Sequence, residues 1–384
     1  MRFEFATATR IIFGPNTIEE VAPIAAEMGH RAFVIAGRTL ERATGFLEQL
    51  KKHGIECVTF NVPGEPTTTL ALKGVQLARQ AECDLVIGIG GGSVIDTGKV
   101  IAALLTNSGE LLDYLEVIGR GQKLSQAPAP YIAIPTTSGT GAEVTLNAVL
   151  GSPEHCVKVS MRSPLMLPCL AVVDPVLTYS MPPEITAGTG LDALTQLMEA
   201  YISNKANPLT DGVCREGLWR AARSLQSAYE DGGDKAARED MSLASLFSGL
   251  ALANAKLGAV HGLAAPVGGI FPAPHGVICA RLLPYVMETN VHLLQTRVSG
   301  SQSLARYDEV AKILTGTDTA LAADGIAWMH DLCTQLKIPP LSKFGLKEED
   351  FPTVVEKAQG ASSMKGNPIR LTDEELVKIL RKAI

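Results

Sequence analysis

The sequence lacks several features that mark membrane, nucleic-acid-binding or secreted proteins. No stretch approaches eighteen consecutive apolar residues, about the minimum for a membrane-spanning helix. No basic run exceeds two residues and the net charge is −6, so neither nucleic acid nor an anionic membrane is expected as a partner. The 7 cysteines are scattered and form no C-x-x-C pair, which predicts reduced thiols in the cytoplasm. Aromatic residues make up only 5%, which predicts mainly aliphatic packing.

What is present is organised around one segment, Asp84–Lys99, with the sequence DLVIGIGGGSVIDTGK. Its first residues, Asp84–Ile89, predict a short buried strand because they are nearly all aliphatic. Glycines at 88, 90, 91 and 92 follow, and Val94–Leu105 has helical spacing with Ser93 as its expected N-cap. A glycine-rich turn from strand to helix directs backbone N–H groups and the positive end of the helix dipole at one place. This pattern predicts a pyrophosphate site.

Other interpretations of this segment fit less well. The phosphate loop of kinases needs glycine at position 93 and Ser or Thr at position 100, where the chain has Ser93 and Val100. The G-x-G-x-x-G fingerprint is incomplete, because Ser93 also stands where its third glycine would be. An ordinary structural turn is the remaining alternative. Four glycines in five residues lower stability unless a close approach requires them, so we favour phosphate binding.

The first half of the chain alternates predicted strands and helices. Alternation at this spacing implies a parallel sheet with crossover helices, whose ligands bind beyond the carboxyl ends of the strands. The expected strands are 2–13 (an edge strand or hairpin), Arg31–Ala36, Glu56–Val62 and Tyr131–Ile134. The expected helices are Thr17–Glu27, Leu40–His53 and Leu70–Ala81.

A second polar loop, PTTSGTGAEVT (135–145), follows the last of these strands. It carries hydroxyls at Thr136, Thr137, Ser138 and Thr140, which together with free amides can bind ribose and phosphate oxygens. Taken alone, the loop fits a polar connection equally well. Its position after a strand of the same sheet favours the binding hypothesis.

The composition changes at Met181-Pro182-Pro183, which is the best domain boundary in the chain. We predict a dinucleotide-binding α/β domain over 1–182 and a helical metal and substrate domain over 183–384, with no strand in the second. The last helix begins with the capping box Thr372-x-x-Glu375. The other predicted helices are Pro183–Ser203, Pro208–Glu230, Lys235–Gly258, Ala305–Thr315, Ala320–Leu336 and Glu349–Gln359.

Candidate metal ligands lie in two stretches of the helical half. Asp192, Gln196 and Glu199 follow one another at i, i+4 and i+7 and so form one polar stripe on a helix. His261 and His275 lie in glycine- and proline-rich surroundings. One aspartate with two histidines suits Fe²⁺ or Zn²⁺ and leaves coordination positions open. On these residues alone, unrelated surface or core histidines fit about as well.

Four segments, in this order, closely resemble the iron-containing (group III) alcohol dehydrogenases: GGGSVIDTGK, PTTSGTGAEVT, GTGLDALTQLMEAY and VHGLAAPVGGIFPAPHGV. The resemblance covers nearly the whole chain. It implies an α/β plus all-α fold, with a Rossmann-like, parallel-sheet dinucleotide-binding domain at the N-terminus and an all-helical metal-binding domain at the C-terminus. It also implies a nicotinamide and a metal in the cleft between the two domains.

The resemblance further implies roles for individual residues. Asp192, His261 and His275 match metal ligands and act in catalysis through the metal, and Gln196 occupies a fourth ligand position. The residues expected to bind the cofactor are Gly91, Gly92 and Ser93 at the pyrophosphate, together with Gly37, Arg38, Asp96, Thr136, Thr137, Thr140, Lys158 and Leu177.

Three positions depart from the family pattern. Gln196 stands where iron-binding members usually have histidine, and a neutral amide is the weaker ligand. Related glycerol dehydrogenases bind zinc through one aspartate and two histidines, so a metal site is still expected. Ala265 replaces a histidine often found four residues after the first, which removes a proton relay. Gly37-Arg38 occupies the strand end where many NAD-using relatives have aspartate.

The function that the resemblance implies is a metal-dependent, NAD(P)-linked alcohol dehydrogenase, or an aldehyde reductase in the reverse direction. The metal, Fe²⁺ in first place and Zn²⁺ in second, would bind the oxygen of a small alcohol or carbonyl substrate while the nicotinamide carries the hydride. The alternatives are an enzyme like dehydroquinate synthase or glycerol dehydrogenase, a metal-free reductase resembling maleylacetate reductase, and a non-catalytic cofactor-binding protein. A cytoplasmic homodimer or higher homo-oligomer is expected.

Overall fold

The computed structural model describes residues 2–38, 43–155, 157–298 and 300–384. The chain divides into two compact units. The α/β unit consists of Ala6–Thr137 and Gly141–Thr178, and the helical unit consists of Tyr179–Ile384 with 2–5 and Ser138–Thr140. Three residues of the hydroxyl-rich loop therefore pack with the helices, although they are flanked in sequence by the α/β unit.

A six-stranded parallel sheet forms the centre of the α/β unit. Its strands are β1 (Arg10–Phe13), β2 (Arg31–Ala36), β3 (Glu56–Asn61), β4 (Leu85–Gly90), β5 (Tyr131–Pro135) and β8 (Leu170–Val173). Their order across the sheet is β1-β8-β5-β4-β2-β3. The predicted parallel sheet is confirmed, and the aliphatic runs of β4 and β5 are explained because every residue of these two inner strands is buried.

The N-terminal strand is shorter than predicted. Only Arg10–Phe13 pairs, in parallel with β8, so the expected edge strand or hairpin over 2–13 is wrong for the residues before Arg10. Residues 2–5 alternate in hydrophobicity as a strand does, but they belong to the helical unit and have no neighbouring strand. The alternating pattern of residues 2–5 is typical of a strand, but a strand does not form there because no other strand lies beside these residues.

Short helices connect the strands of the α/β unit, and α4 begins earlier than predicted. Its N-cap is Gly91, so Ser93 lies inside the first turn and does not cap the helix as expected. The first three residues of the predicted helix Leu40–His53, 40–42, lie outside the described residues. The helices are α1 (Val21–Ala26), α2 (Thr44–Lys52), α3 (Thr68–Gln80), α4 (Gly92–Thr106) and α5 (Leu111–Tyr114).

An antiparallel hairpin that the sequence analysis did not predict follows the hydroxyl-rich loop. It consists of β6 (Asn147–Ser152) and β7 (Val157–Arg162). The residues of β6 alternate between buried and partly exposed, as expected for a ribbon with one covered face. The alternation of apolar and polar residues in β7, VKVSMR, was the sequence signal that could have revealed the hairpin.

The helical unit is built from nine α-helices and three short 3₁₀ helices in its described part, and no strand lies among these residues. The predicted Pro208–Glu230 helix has the same bounds in the structure, and the last helix has the predicted capping box at Thr372 and Glu375. The helices are α6 (Pro183–Ile202), α7 (Pro208–Glu230), α8 (Lys235–Asn254), α9 (Ala259–Ile270), α10 (His275–Arg297), α11 (Gln302–Thr315), α12 (Ala322–Gln335), α13 (Phe351–Gly360) and α14 (Asp373–Ala383).

Two of these helices, α9 and α10, were missed because their sequences contain prolines and several glycines. Pro266 lies inside α9 and Pro284 lies inside α10, where proline removes a backbone hydrogen bond. Both prolines are buried in the helical core. Tertiary packing therefore maintains helices whose local sequence argues against them.

In the part of the chain that the structure describes, no single helix has the length and apolarity needed to cross a membrane. Among the described residues, α8 and α9 together reach the length and apolar composition of a membrane span, but the chain bends by 97° between them.

Candidate metal and cofactor site

The polar stripe predicted on α6 is buried in the helical unit. Asp192, Gln196 and Glu199 are each only 2% exposed, and α6 packs against α7, α8 and α10. Three polar side chains on one face of a surrounded helix need partners, because a buried polar group without one is costly. The neighbours of Glu199 and Asp192 come from α9 and α10, whereas Gln196 contacts Asp192 on its own helix.

Glu199 holds His261 of α9 in place. Oε2 of Glu199 lies 2.7 Å from Nδ1 of His261, and Oε1 accepts a hydrogen bond of 2.7 Å from the backbone N–H of Val260. The carboxylate therefore occupies the N-terminus of α9, where free N–H groups and the helix dipole favour a negative charge. With Nδ1–H donating to Glu199, Nε2 of His261 carries a lone pair and is free to bind a metal.

His275 and Cys279 stand one turn apart at the start of α10 and face the same point. Nε2 of His275 is 3.8 Å from Oδ1 of Asp192, and Nε2 of His261 is 3.4 Å from that oxygen. Sγ of Cys279 is 3.6 Å from Nε2 of His275 and 3.8 Å from Nε2 of His261. The structure thus brings together the three predicted ligands and adds a fourth group that the sequence analysis did not consider.

The donor atoms of Asp192, His261, His275 and Cys279 all lie within 4.8 Å of one another. The missed residue, Cys279, follows His275 at i+4, which is a recognisable ligand spacing on a helix. It was overlooked because α10 itself was not predicted.

Two buried acceptors in this cluster lack donors. Oδ1 of Asp192 and Oε1 of Gln196 accept no hydrogen bond from any described residue, and Nε2 of Gln196 lies 3.5 Å from Oδ2 of Asp192. Buried acceptors without partners are rare in folded proteins, and a bound cation would satisfy them. Oxygen, nitrogen and sulfur donors at these distances fit a divalent ion such as Fe²⁺ or Zn²⁺.

Charge around the cluster is mostly negative. Burial alone would lower the pKa of His261, but the neighbouring Cys279, Asp192 and Glu199 hold that pKa well above its ordinary value. Burial alone would raise the pKa of Asp192, but the imidazoles of His275 and His261 lower it. Such an excess of negative groups around two imidazole nitrogens suits a divalent cation.

The glycine-rich turn between β4 and α4 has two kinds of glycine. A Cβ at Gly88 would lie 2.4 Å from the hydroxyl of Tyr131, and one at Gly90 would lie 2.5 Å from Cγ2 of Val94, so these two glycines are required by packing. A Cβ at Gly91 would meet the Thr137 side chain at 3.3 Å. The first turn of α4 has no side-chain cap, which leaves its N–H groups for a ligand.

Most predicted cofactor residues of the α/β unit lie at one edge of the sheet. Gly37 and Arg38 follow β2, Gly91–Ser93 follow β4, Thr136 and Thr137 follow β5, and Leu177 lies in a short turn after β8. These four strands are neighbours in the parallel sheet, so their carboxyl ends line a single edge. Thr140 instead packs with the helical unit.

Two predicted cofactor residues have partners within the protein. Oδ2 of Asp96 accepts a hydrogen bond of 2.9 Å from the backbone N–H of Val149 in β6. Nζ of Lys158 in β7 lies 3.2 Å from Oε2 of Glu65. Both contacts attach the β6–β7 hairpin to the rest of the α/β unit.

Comparison with known families decides which fold family this is. Residues 8–175 match the family described as iron-containing alcohol dehydrogenase, and residues 186–384 match the C-terminal domain of the Fe-containing alcohol dehydrogenase family. The chain belongs to the iron-containing alcohol dehydrogenase family. It is thus an oxidoreductase with a Rossmann-like N-terminal part and a helical C-terminal part, as the resemblance implied.

Characterised members of the family align over nearly their full length. Alcohol dehydrogenase 4 of Saccharomyces cerevisiae is 35% identical, with 97% of this chain and 96% of the yeast protein covered. The 1,3-propanediol dehydrogenase of Klebsiella pneumoniae is 34% identical, with 99% and 98% covered. NADPH-dependent butanol dehydrogenase of Clostridium saccharobutylicum is 32% identical, with 98% and 96% covered.

Solved structures agree with this assignment. A 1,3-propanediol oxidoreductase superposes with a TM-score of 0.92 at 34% identity, over 100% of both chains. Sulfoacetaldehyde reductase from Bifidobacterium kashiwanohense, solved in complex with NAD⁺, superposes with a TM-score of 0.88 at 27% identity, over 100% of this chain and 99% of that one. In this member of the family, Ala265 lies on α9 one turn after His261, and its methyl group cannot relay a proton.

Proposed function

We propose that the protein is a metal-dependent, NAD(P)-linked dehydrogenase of a small alcohol, which reduces the corresponding aldehyde in the reverse direction. The observation that carries this proposal is the convergence of Asp192, His261 and His275 from three helices onto one point. Family membership supports the oxidoreductase class, and the relatives named for propanediol and butanol support a small alcohol as substrate.

Each of the three residues has a distinct part in holding the cation. Asp192 supplies a buried negative charge, and His261 supplies an Nε2 lone pair that Glu199 keeps in the correct tautomer. The side chain of His275 is 33% exposed, so it marks the accessible side from which a substrate would approach. A divalent cation bound here, Fe²⁺ or Zn²⁺, would supply Lewis-acid polarisation of the substrate oxygen.

For the cofactor, we propose that the pyrophosphate binds at the first turn of α4, against Gly91, Gly92 and Ser93. The uncapped helix end and the adjacent Thr137 support this placement. A bound nicotinamide would supply the hydride chemistry, and the protein would align it with the substrate carbon. Because Ala265 has no titratable group, it cannot accept the substrate proton, which water or the ribose hydroxyls of the bound coenzyme would have to accept.

Coenzyme preference follows from the end of β2 in this proposal. Gly37 has no carboxylate to bind a ribose diol or to repel a 2′-phosphate, and the exposed Arg38 beside it can pair with that phosphate. The named relatives include one NADPH-dependent enzyme and one solved with NAD⁺, which is consistent with tolerance of both coenzymes.

The test of the metal proposal uses chelator-treated protein, with and without added Fe²⁺ or Zn²⁺, against a panel of small alcohols and aldehydes. Activity should depend on added metal, and His275→Ala should lose both metal binding and turnover. His292→Ala, which alters an exposed histidine on the same helix, is the matched control and should behave as wild type. Full activity of chelator-treated His275→Ala would refute the metal-dependent mechanism.

We further propose a cytoplasmic homodimer or higher homo-oligomer, consistent with the scattered cysteines of the sequence. Light scattering of the purified protein at several concentrations tests the assembly. A monomer at every concentration would contradict it.

A further inference from the structure

Cys279 differs from Cys333, another buried cysteine, in what its sulfur contacts. Sγ of Cys333 lies 3.4 Å from the backbone oxygen of Ala280, as is common for a cysteine that serves as a small apolar residue. Sγ of Cys279 instead faces the Nε2 atoms of His275 and His261, at 3.6 and 3.8 Å. Both nitrogens belong to predicted metal ligands.

We propose that Cys279 is the fourth protein ligand of the metal, in the place that Gln196 would otherwise take. The proposal rests on the proposed function, because it requires the same cation at Asp192, His261 and His275. On binding, the thiol proton passes to solvent and the sulfur binds as a thiolate. The site then has an Asp-His-His-Cys donor set.

The distances between donor atoms match a tetrahedral site. Ligands held at about 2.0–2.3 Å around a tetrahedral Zn²⁺ are separated from one another by roughly 3.3–3.7 Å. Four of the six separations among Asp192 Oδ1, the two imidazole Nε2 atoms and Cys279 Sγ run from 3.4 to 3.8 Å. All four donor atoms lie within 4.8 Å of one another, so side-chain adjustments of about an ångström or less would place them around one cation.

An independent observation shows that this cluster is built for a ligand. Asp192 is 98% buried, yet its Oδ1 accepts no hydrogen bond from the described residues, although Nε2 of His261 is only 3.4 Å away. In a metal-bound state, Nε2 of His261 has no proton, because the Nδ1–H donates to Glu199. The oxygen and the nitrogen then both point lone pairs at the same place.

The chemistry of the two candidates favours Cys279 over Gln196. A thiolate carries a negative charge and is a soft donor, whereas an amide oxygen is neutral and binds Fe²⁺ or Zn²⁺ weakly. With Asp192, the thiolate balances the two positive charges of the cation in a buried site. Gln196 remains beside Asp192, with its Nε2 3.5 Å from Oδ2. A thiolate ligand also increases the preference of the site for Zn²⁺ over Fe²⁺.

The rival interpretation is that the Cys279 thiol only forms weak hydrogen bonds to the imidazoles. Loading the metal-stripped, full-length protein with one equivalent of Co²⁺ separates the two, because a Co²⁺–thiolate bond gives a near-ultraviolet charge-transfer band. Wild type should show this band together with the visible ligand-field bands of Co²⁺. Cys279→Ser should lose the charge-transfer band and keep the ligand-field bands, while the control Cys333→Ser should keep both.

Affinity and direct bond detection provide further readouts. X-ray absorption of the Zn²⁺-loaded wild type should show a sulfur neighbour at about 2.3 Å, absent in Cys279→Ser. The Zn²⁺ affinity of Cys279→Ser should fall by at least the 10–100-fold scale that is typical even for outer-sphere losses. Adding Gln196→His to Cys279→Ser should restore the Zn²⁺ affinity without restoring the charge-transfer band. The restored affinity would show that the Cys279→Ser change does not unfold the protein.

The possible failures are distinguishable. If wild type binds Co²⁺ with ligand-field bands but no charge-transfer band, Cys279 is not a ligand, and the metal proposal stands. If wild type binds neither Co²⁺ nor Zn²⁺ any more tightly than His275→Ala does, the proposed metal function itself is overturned, and the role of Cys279 with it.

Discussion

Oε2 of Glu199 and Nδ1 of His261 lie 2.7 Å apart, although the two residues belong to different helices, α6 and α9. Glu199 is therefore the group that sets the orientation and tautomer of a proposed metal ligand. The carboxylate is 2% exposed and also accepts from the N–H of Val260, so its position is fixed from two sides. Loss of such an outer carboxylate typically lowers metal affinity by about 10–100-fold.

We expect Glu199→Gln to weaken metal binding by about 10–100-fold, because a neutral amide holds the Nδ1–H of His261 less firmly. Titration of the stripped protein with Zn²⁺ in competition with a chelating dye measures this. Glu184→Gln, an exposed change on the same helix, should leave the affinity unchanged. Wild-type affinity in a correctly folded Glu199→Gln protein would show that the hydrogen bond to His261 is unimportant.

The second prediction concerns coenzyme choice at Gly37. Apart from its chain neighbours, no atom of the described residues lies within 4 Å of a Cβ built at this position, so these residues leave room for an aspartate. Wild type should use NADP(H) within about tenfold of NAD(H), a gap of roughly 1.4 kcal/mol. In Gly37→Asp, kcat/KM for NADP(H) should fall by at least about tenfold relative to NAD(H), because the carboxylate binds the ribose diol and repels the 2′-phosphate.

The control for this experiment is Gly64→Asp, which adds the same charge at an exposed position with no atom within 4 Å of its Cβ. It should not change the ratio of the two coenzymes. Strong discrimination against NADP by wild type, with no change in Gly37→Asp, would show that the end of β2 does not contact the adenosine ribose.

The third prediction tests why α4 contains glycine. A Cβ at Gly98 would lie 2.5 Å from the hydroxyl of Tyr131 and 2.6 Å from Cε2 of its ring, whereas a Cβ at Gly212 in α7 would meet nothing within 4 Å. Gly98→Ala should lower the free energy of unfolding by about 1–3 kcal/mol through overpacking. Gly212→Ala should raise it by about 0.5–1 kcal/mol, because alanine favours a helix more than glycine does.

Denaturant unfolding of both variants measures these two effects. If Gly98→Ala stabilises the protein as Gly212→Ala does, the Tyr131 ring is not packed against α4, and Gly98 has no packing function.

The fourth prediction is a pH dependence of stability at Glu143, a residue of the hydroxyl-rich loop. Burial raises the pKa of this carboxyl from its ordinary 4.5 to about 7, although the buried Lys99 nearby opposes the shift. A pKa raised in the folded state favours folding below pH 4.5 and loses this contribution as the pH rises through 7. At about 1.4 kcal/mol per pH unit, the full effect is at most roughly 3.5 kcal/mol.

Glu143→Gln removes this titration while keeping the shape of the side chain. We therefore expect the variant to gain stability relative to wild type between pH 5 and pH 8, as measured by the difference in Tm at each pH. Glu154→Gln, at an exposed position, should show a constant difference. A constant difference for Glu143→Gln as well would mean that Glu143 is ionised in the folded state throughout this range.

The sequence by itself determined the fold class and most of the regular elements. Aliphatic runs predicted the inner strands β2, β4 and β5, and the capping box at Thr372 and Glu375 predicted the start of the last helix. These signals are local, since they depend on residues no more than a few positions apart. The polar stripe of Asp192, Gln196 and Glu199 was recognisable for the same reason, because helical periodicity places i, i+4 and i+7 on one face.

Tertiary structure alone decided which residues meet. Glu199 reaches His261 across 62 positions of the chain, and Cys279 reaches the same imidazole from a helix that the sequence did not predict. Pro266 and Pro284 are unfavourable inside α9 and α10, because proline removes a backbone hydrogen bond. Burial of these helices in the helical core outweighs that loss. Gly88, which the sequence associates with a ligand, is small because Tyr131 packs against it, and Gly98 is small for the same reason. Contacts between distant segments depend on how the whole core packs, so local sequence patterns do not predict them.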